Sequence, residues 1–380
     1  MAKLTDKIKV LGGLMNEKSQ ITIPLVPSIC KCFEIVMTEQ EMDFLISVGN
    51  RCLPRDALAA LYTADVPDFD RFFAEVLRKS LMWEREDGYE LAPIFPGWIE
   101  VYGGGDPSDP TRQAMLHEFA KFEKLLSQLN IPPVRAYMNR LNSKKIQELP
   151  ARMSVRAARG SKTVDLNEPL TSEQAVTTAG EILPILERHA EDIGVMHCFC
   201  RMLRQTEGES CAFHMPIESC MMVGKLSHQI AESGVGRMLT LEEAKQLIAE
   251  CEQKGCIHTI YHYGMSTEQE ELAICNCCLD CCFLYHGYQN GSLSQIMTKS
   301  YVIPEMLDES ACVGCGKCGR FCPTQATWYD KQNKKLRFEP KNCIGCGQCV
   351  TQCYFPVRQL VPKERQVFIK TRAKRSKAHA

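Results

Sequence analysis

The 380-residue chain has no apolar run near the ~18 residues that a membrane-spanning helix requires. Its first twenty residues, MAKLTDKIKVLGGLMNEKSQ, carry lysines but no uninterrupted apolar core, so they do not read as a secretory signal. No P-loop, GxSxG or HExxH is present, and SGVGRML at 233–239 lacks the third glycine of a dinucleotide loop, reading instead as a turn. These absences leave no flavin, nucleotide or hydrolytic site to recognise. Hydrophobic content of 45% and charged content of 24% are those of an ordinary globular protein. The expectation is a soluble, cytoplasmic protein of two or three domains.

Net charge is almost absent at −1, yet it is unevenly spread. Residues 357–380 carry eight Lys/Arg against one Glu, and the rest of the chain carries 37 basic against 45 acidic residues. The end reads as a basic tail, either simply solvated or an arm for an acidic partner, a membrane surface or nucleic acid.

What the chain has in excess is cysteine. There are 22, most of them in tight clusters late in the sequence, and ICNCCLDCC at 274–282 holds five in nine positions. Disulfide scaffolds are usually short secreted chains, whereas clustered thiols in a reducing compartment are better explained as metal ligands.

The organisation reads as α+β: a winged-helix-like N-terminal domain, a mixed helical cysteine-rich central domain and a C-terminal two-cluster ferredoxin-like domain. The boundaries are 1–102 for the first, 103–170 for a linker and helical connector, 171–300 for the central domain, 301–357 for the last and 358–380 for the basic tail. In the first domain, TEQEMDFLISVG and RDALAALY are helices, and Asp68 caps DFDRFFAEVLRKSL. MWEREDGYEL is a hairpin turning at Asp87-Gly88. The third helix is a poor surface for duplex DNA, because residues 55–81 hold four Lys/Arg against five Asp/Glu. YGGGDPSDP at 102–110 reads as a linker, followed by a helix with Met115, Phe119, Phe122, Leu126 and Leu129 on one face. TSEQAVTTAGEILPILERHAEDI reads as one helix with a kink at Pro184. LTLEEAKQLIAECEQKG is a helix with a Thr240/Glu243 capping box and Gly255 at its end.

Two C-terminal stretches, CVGCGKCGRFCP at 312–323 and CIGCGQCVTQC at 343–353, each spell C-x2-C-x2-C-x3-C. Three cysteines three apart can cover three iron corners of a cubane, and glycines between them let backbone N–H groups approach the sulfides. The fourth cysteine ligates the other cluster in this arrangement. Cluster one then takes Cys312, Cys315, Cys318 and Cys353, and cluster two takes Cys322, Cys343, Cys346 and Cys349. The region 305–357 resembles the two-cluster 4Fe–4S ferredoxin domain. It departs from that pattern at Tyr354, where a proline would follow Cys353.

The central set comprises Cys198, Cys200, Cys211 and Cys220, then Cys275, Cys277, Cys278, Cys281 and Cys282. Nine thiols suffice for two four-ligand sites. If CNCCLDCC is helical, Cys275, Cys278 and Cys282 share one face and Cys277 and Cys281 another; a looped form would wrap one centre. Arg201 and Arg204 would lower thiol pKa values and offset cluster charge. A further iron–sulfur centre, zinc, and redox-active thiols all remain open, as does the choice among the nine.

The sequence CxCR…C…P…C, then GRMLTLEEA, then ICNCCxxCC, resembles 4Fe–4S ferredoxin-type oxidoreductase subunits of anaerobes, and APIFPGWIEVY at 92–102 fits the same group. The resemblance implies electron transfer through two 4Fe–4S clusters and an additional central cluster. It implies a redox partner protein, such as a flavoprotein, and assigns no catalytic residue. Two alternatives stand beside it: a stand-alone oxidoreductase reducing a small molecule at the central cluster, and a redox-sensing winged-helix regulator. Among weaker signals, Cys30 and Cys32 are possible extra ligands, Cys52, Cys251 and Cys256 read as apolar fillers, and His197 is a candidate ligand or proton gate. His214, His258 and His262 commit to nothing.

Overall fold

The computed structural model describes residues 4–19, 22–63, 68–128, 174–177, 179–262, 272–283, 285, 299–300 and 302–363. The connector beyond residue 128, with Leu129, and the tail from 364 onward lie outside the described residues. The architecture is α+β, and no described helix is long and apolar enough to cross a membrane.

Two helices the sequence reading leaves unassigned come first, α1 (Leu4–Lys18) and α2 (Pro27–Val36). α3 (Glu39–Val48) opens with a capping box in which Thr38 Oγ1 accepts from the Glu41 N–H and the Glu41 carboxylate accepts from the Thr38 N–H. α4 (Arg55–Leu61) and α5 (Phe69–Arg78) follow, the latter capped by Asp68 as expected. β1 (Met82–Arg85) and β2 (Gly88–Leu91) form an antiparallel hairpin. Arg85 pairs with Gly88, so the turn is Glu86-Asp87, one position earlier than the sequence suggests. The shift follows from Leu53, which exchanges backbone hydrogen bonds of 3.0 and 2.8 Å with Tyr89 and draws the start of β2 back to Gly88.

After an irregular turn at Ile94–Trp98 come α6 (Ile99–Gly103) and α7 (Pro110–Gln128). α7 buries Met115, Phe119 and Phe122 on the face its sequence predicts. The glycines of the expected linker, Gly103 to Gly105, are buried. The His197 N–H donates to the Gly104 carbonyl at 3.0 Å, and a Cβ on residue 104 would stand 2.7 Å from the His197 oxygen. Here glycine lets two backbones touch, and the stretch is a packing contact.

The central region is built on a sheet, where a mixed helical domain was expected. Its elements are β3 (Gln174–Thr177), α8 (Ala179–Arg188), β4 (Ile193–His197), α9 (Phe199–Thr206), β5 (Glu218–Val223) and α10 (Lys225–Glu232). β6 (Gly236–Met238), α11 (Leu241–Gln253), β7 (Ile257–His262) and β8 (Leu272–Cys277) complete it. The six strands run antiparallel in the order β3-β7-β8-β5-β4-β6. Three expectations change accordingly. The presumed single helix before residue 193 is a strand followed by a helix, SGVGRML contributes β6, and ICNC lies in β8 with a turn after it. For ICNC the physical reason is that a strand covered on both faces reads as a continuous apolar run, so its period of two is hidden; β6 is only three residues long, too short to show a period. The α11 capping box forms as expected, and Gly255 follows its C-cap.

The two sheet faces have different neighbours. Val195, Met221, Val223, Ile260 and Ile274 pack under Ile182 and Leu186 of α8 and Ala244 and Ile248 of α11. The opposite face, with Met196, Cys220, Met222, Ala273 and Cys277, packs against the N-terminal helices. Strand alternation therefore directs the cysteines of β5 and β8 away from α8 and α11 and toward the N-terminal helices.

The C-terminal region has β9 (Val302–Met306), α12 (Lys317–Arg320), β10 (Thr327–Asp330), β11 (Lys335–Phe338), α13 (Gln348–Thr351) and β12 (Arg358–Pro362). β12 pairs antiparallel with β9, so the first residues assigned to the basic tail belong to this domain. α13 docks on α11: Gln348 Nε2 donates to the Cys256 carbonyl at 2.6 Å, and Gln352 Nε2 to that of Gln253 at 2.8 Å.

Candidate metal centres

The two C-terminal motifs fold into loops that each end in a short helix, α12 or α13. Gly314, Gly316, Gly345 and Gly347 hold φ between +69° and +80°, the left-handed region that L side chains disfavour. This lets the loops curl with their N–H groups inward. The Gly345 N–H donates to Cys343 Sγ at 3.3 Å and the Ala326 N–H to Cys322 Sγ at 3.1 Å. Two cavities result. One is lined by Cys312, Cys315, Cys318 and Cys353, with Cys349 in its wall; the other by Cys322, Cys343, Cys346 and Cys349. Each motif thus sends its fourth cysteine to the other cavity. The four-thiol donor sets fit 4Fe–4S clusters, and Cys353 reaches its cavity despite Tyr354.

Residues 305–354 match the family model of the 4Fe-4S dicluster domain. The match contains all eight of these cysteines. No curated protein and no solved structure matches the chain. The chain is an iron–sulfur protein.

Within the dicluster domain, burial pushes the Cys349 thiol up to about 12 and the Cys346 thiol well above its ordinary range. Cluster assembly must therefore displace protons. Arg358, which the sequence reading assigned to the tail, is buried in the wall of the first cavity and donates to Thr327 Oγ1 at 2.7 Å. Its charge opposes the burial effect at Cys318 and Cys349.

In the central region, six of the nine thiols close a ring. Cys198 touches Cys200 and Cys220; Cys200 touches Cys282; Cys282 touches Cys277; Cys277 touches Cys275; and Cys275 touches Cys220. All six line one cavity. The ring draws on four elements. Cys198 and Cys200 open α9, and Cys220 lies in β5 opposite Cys275 of β8. Cys277 ends β8, and Cys282 lies in the turn beyond. Contacts from neighbouring thiols hold Cys198 and Cys282 well below the usual thiol range and Cys200, Cys220 and Cys277 well above it.

Arg201 sits fully buried behind the ring. It donates to the Asn276 carbonyl at 2.6 Å and the Pro216 carbonyl at 2.8 Å, and its Nε has no hydrogen-bond partner among the described residues. Burial disfavours its charge, but Cys198, Cys278 and Cys220 outweigh burial and raise its pKa. A buried cation aimed at thiols fits a negatively charged cluster. Arg204 departs from expectation, pairing with Glu123 and Glu209.

The N-terminal module supplies the roof of the cavity. Phe95 meets Phe283 edge-on at 5.2 Å, and Phe119 meets Phe199 at 5.2 Å and Phe283 at 5.8 Å. Glu100 lines the same cavity, accepting from the Gly97 N–H at 2.8 Å. Burial first, then the thiols of Cys275, Cys282 and Cys198, raise its carboxyl well above the usual range. Sequence reasoning missed Glu100; the signal was a single acid inside the apolar run PIFPGWIEVY.

The ring and the dicluster domain are contiguous. Tyr285 is fully buried in the same core cluster as Cys277 and Cys282 of the ring, and Cys346 of the second dicluster cavity packs against that cluster. The remaining central thiols, Cys211, Cys278 and Cys281, form a separate group with Asp280, a residue not anticipated from sequence. Other candidates lie elsewhere. Cys32 bonds helix and α7 carbonyls, Cys30 bonds Leu25, and Cys52 is exposed. His197 Nδ1 bonds the Gly105 carbonyl, and His258 Nδ1 donates to Asn276. Cys251 and Cys256 are buried fillers, as expected.

Proposed function

We propose that this chain is an electron-transfer subunit of an oxidoreductase complex, working in the reducing cytoplasm of an oxygen-poor cell. Two 4Fe–4S clusters would be held by the eight dicluster cysteines in the crossed assignment, and a further iron–sulfur centre by the ring of six. When bound, such clusters supply one-electron redox chemistry. The observation that carries the reading is the contiguity of the three cavities: Cys349 borders both dicluster cavities, and the core cluster that holds Tyr285 joins the second to the ring.

A redox partner, such as a flavoprotein, would dock at the first cavity. Val313 and Phe355 line that cavity and are exposed; Tyr354, next to Phe355, and Leu307, whose N–H donates to the Val357 carbonyl at 2.9 Å, are exposed as well. We read α3 to α5 with the β1–β2 hairpin as a winged-helix-like module. It serves protein contact rather than DNA, since Asp70 and Glu75 on α5 pair with Arg55 and Arg78.

A second reading, an independent reductase acting at the central centre, is favoured by Glu100, a buried carboxyl in the ring cavity that cluster ligation does not require. An EPR-monitored redox titration under anaerobic conditions tests the two. The relay reading expects three reversible one-electron centres whose spectra ignore added small molecules. Two centres only would refute it, and substrate-perturbed signals would favour the second reading.

A further inference from the structure

Among the described residues, Cys211, Cys278, Asp280 and Cys281 are the one group of three or more His, Cys, Asp or Glu side chains whose ligand atoms all lie within 4.8 Å of one another. The ring and dicluster thiols encircle cluster-sized cavities; these four converge on a point. The sulfurs of Cys211 and Cys278 are 3.6 Å apart. A tetrahedral ion with metal–sulfur bonds of about 2.3 Å sets its sulfurs roughly 3.7 Å apart.

Asp280 is held in a ligand's posture. Its Oδ2 accepts from the Ala212 N–H at 2.6 Å, and its Oδ1 stands 3.8 Å from Cys211 Sγ. One carboxylate oxygen is anchored by the backbone and the other turns to the thiols, as outer-shell bonds orient metal ligands. Cys278 and Cys281 end a C-x2-C turn that the Cys282 N–H closes onto the Cys278 carbonyl at 3.2 Å. Cys211 comes from the loop after α9, 67 positions away. Met215, Phe213, Cys251 and Cys256 pack around the group, whose Cys278 and Cys281 are buried and whose Cys211 and Asp280 are half-buried.

We propose that Cys211, Cys278, Cys281 and Asp280 bind a single tetrahedral Zn²⁺ ion, separate from the iron–sulfur centres. Three thiolates and a carboxylate suit this borderline-soft ion, and four protein ligands make a closed, structural site. The ion ties the 211 loop to the turn between Cys277 and Cys282, and so fixes two ring ligands in place. Cys278 also borders the ring cavity, but its sulfur belongs to this site.

The test is zinc quantification and zinc K-edge X-ray absorption on the full chain purified anaerobically. The proposal expects one zinc per chain, with three sulfurs at about 2.3 Å and one oxygen at about 2.0 Å. Cys211→Ser and Asp280→Ala should each lower zinc retention against a chelator by about tenfold or more, with iron in the dicluster domain unchanged. No zinc, an all-sulfur shell, a Cys278–Cys281 disulfide in the purified chain, or full retention in both variants would overturn it. Should a variant fail to fold, the wild-type absorption spectrum decides alone. Iron and sulfide counts are read independently, so this result leaves the electron-transfer reading standing or falling on its own evidence.

Discussion

The dicluster loops and the central ring solve one problem, gathering thiols around a cavity, in opposite ways. In the loops the ligands are local. Three of each four lie within seven positions, left-handed glycines curl the backbone, and one short segment sets most of the geometry. In the ring, the thiols come from α9, β5, β8 and the turn beyond it, and a sheet register sets the geometry: Cys220 faces Cys275 because β5 pairs with β8. A local site depends on turn chemistry, and a distributed site depends on the fold. The ring also needs a roof from a separate module, Phe95 and Glu100, which the loops do not.

The sharpest break in that comparison is Cys275→Ser. We expect loss of the central centre, a drop of about four or more irons per chain, and unaltered dicluster EPR signals. Loss of the dicluster signals as well, with circular dichroism preserved, would show that the sites are not independent. The complementary change, Cys315→Ala, should remove or convert one dicluster cluster, lowering iron by about one to four per chain while the ring centre persists. Iron analysis and low-temperature EPR read both.

A smaller effect probes the scaffold of the ring. His258 is buried behind β8 and bonds Asn276, the residue between two ring cysteines, and burial lowers its pKa from 6.5 to about 4. The folded protein keeps it neutral while the unfolded chain protonates first as pH falls. Its contribution is therefore complete above about pH 6.5 and declines toward pH 4, by about 2 kcal/mol at pH 5. Urea midpoints at pH 7 and pH 5 should differ less in His258→Gln than in the native chain; equal differences would contradict the assignment.

The smallest expected effect lies in the dicluster domain. Arg358→Gln removes a buried positive charge from the wall of the first cavity, so at least one cluster should become harder to reduce. The shift should be tens of millivolts, where about 59 mV corresponds to a tenfold change in a one-electron equilibrium. An unchanged pair of midpoint potentials would show that the guanidinium is structural only.

The same contrast explains what the sequence disclosed. The dicluster motifs were legible because ligand, spacing and glycine occur in one string, and the caps at Asp68 and Thr240 were legible because a cap is also local. The ring was not. Its membership depends on which strands pair, and the doubly covered strands ESCMMV and LAICNC conceal their alternation in apolar residues. Arg358 was read as one more basic residue of the tail because its role comes from β12 pairing with β9. Asp280 was hidden among five cysteines, although a carboxylate inside CLDC is a ligand signal in its own right. Arg201 was correctly set beside the thiols by its sequence position, whereas Arg204, three positions on, turned to Glu123 of α7.

The most direct test of the account counts iron and acid-labile sulfide per chain in protein isolated under strict exclusion of air. The account predicts about twelve or more irons with matching sulfide, the eight of the dicluster domain and the remainder in the ring. About eight irons, with the ring thiols still titrating as free cysteines, would contradict it.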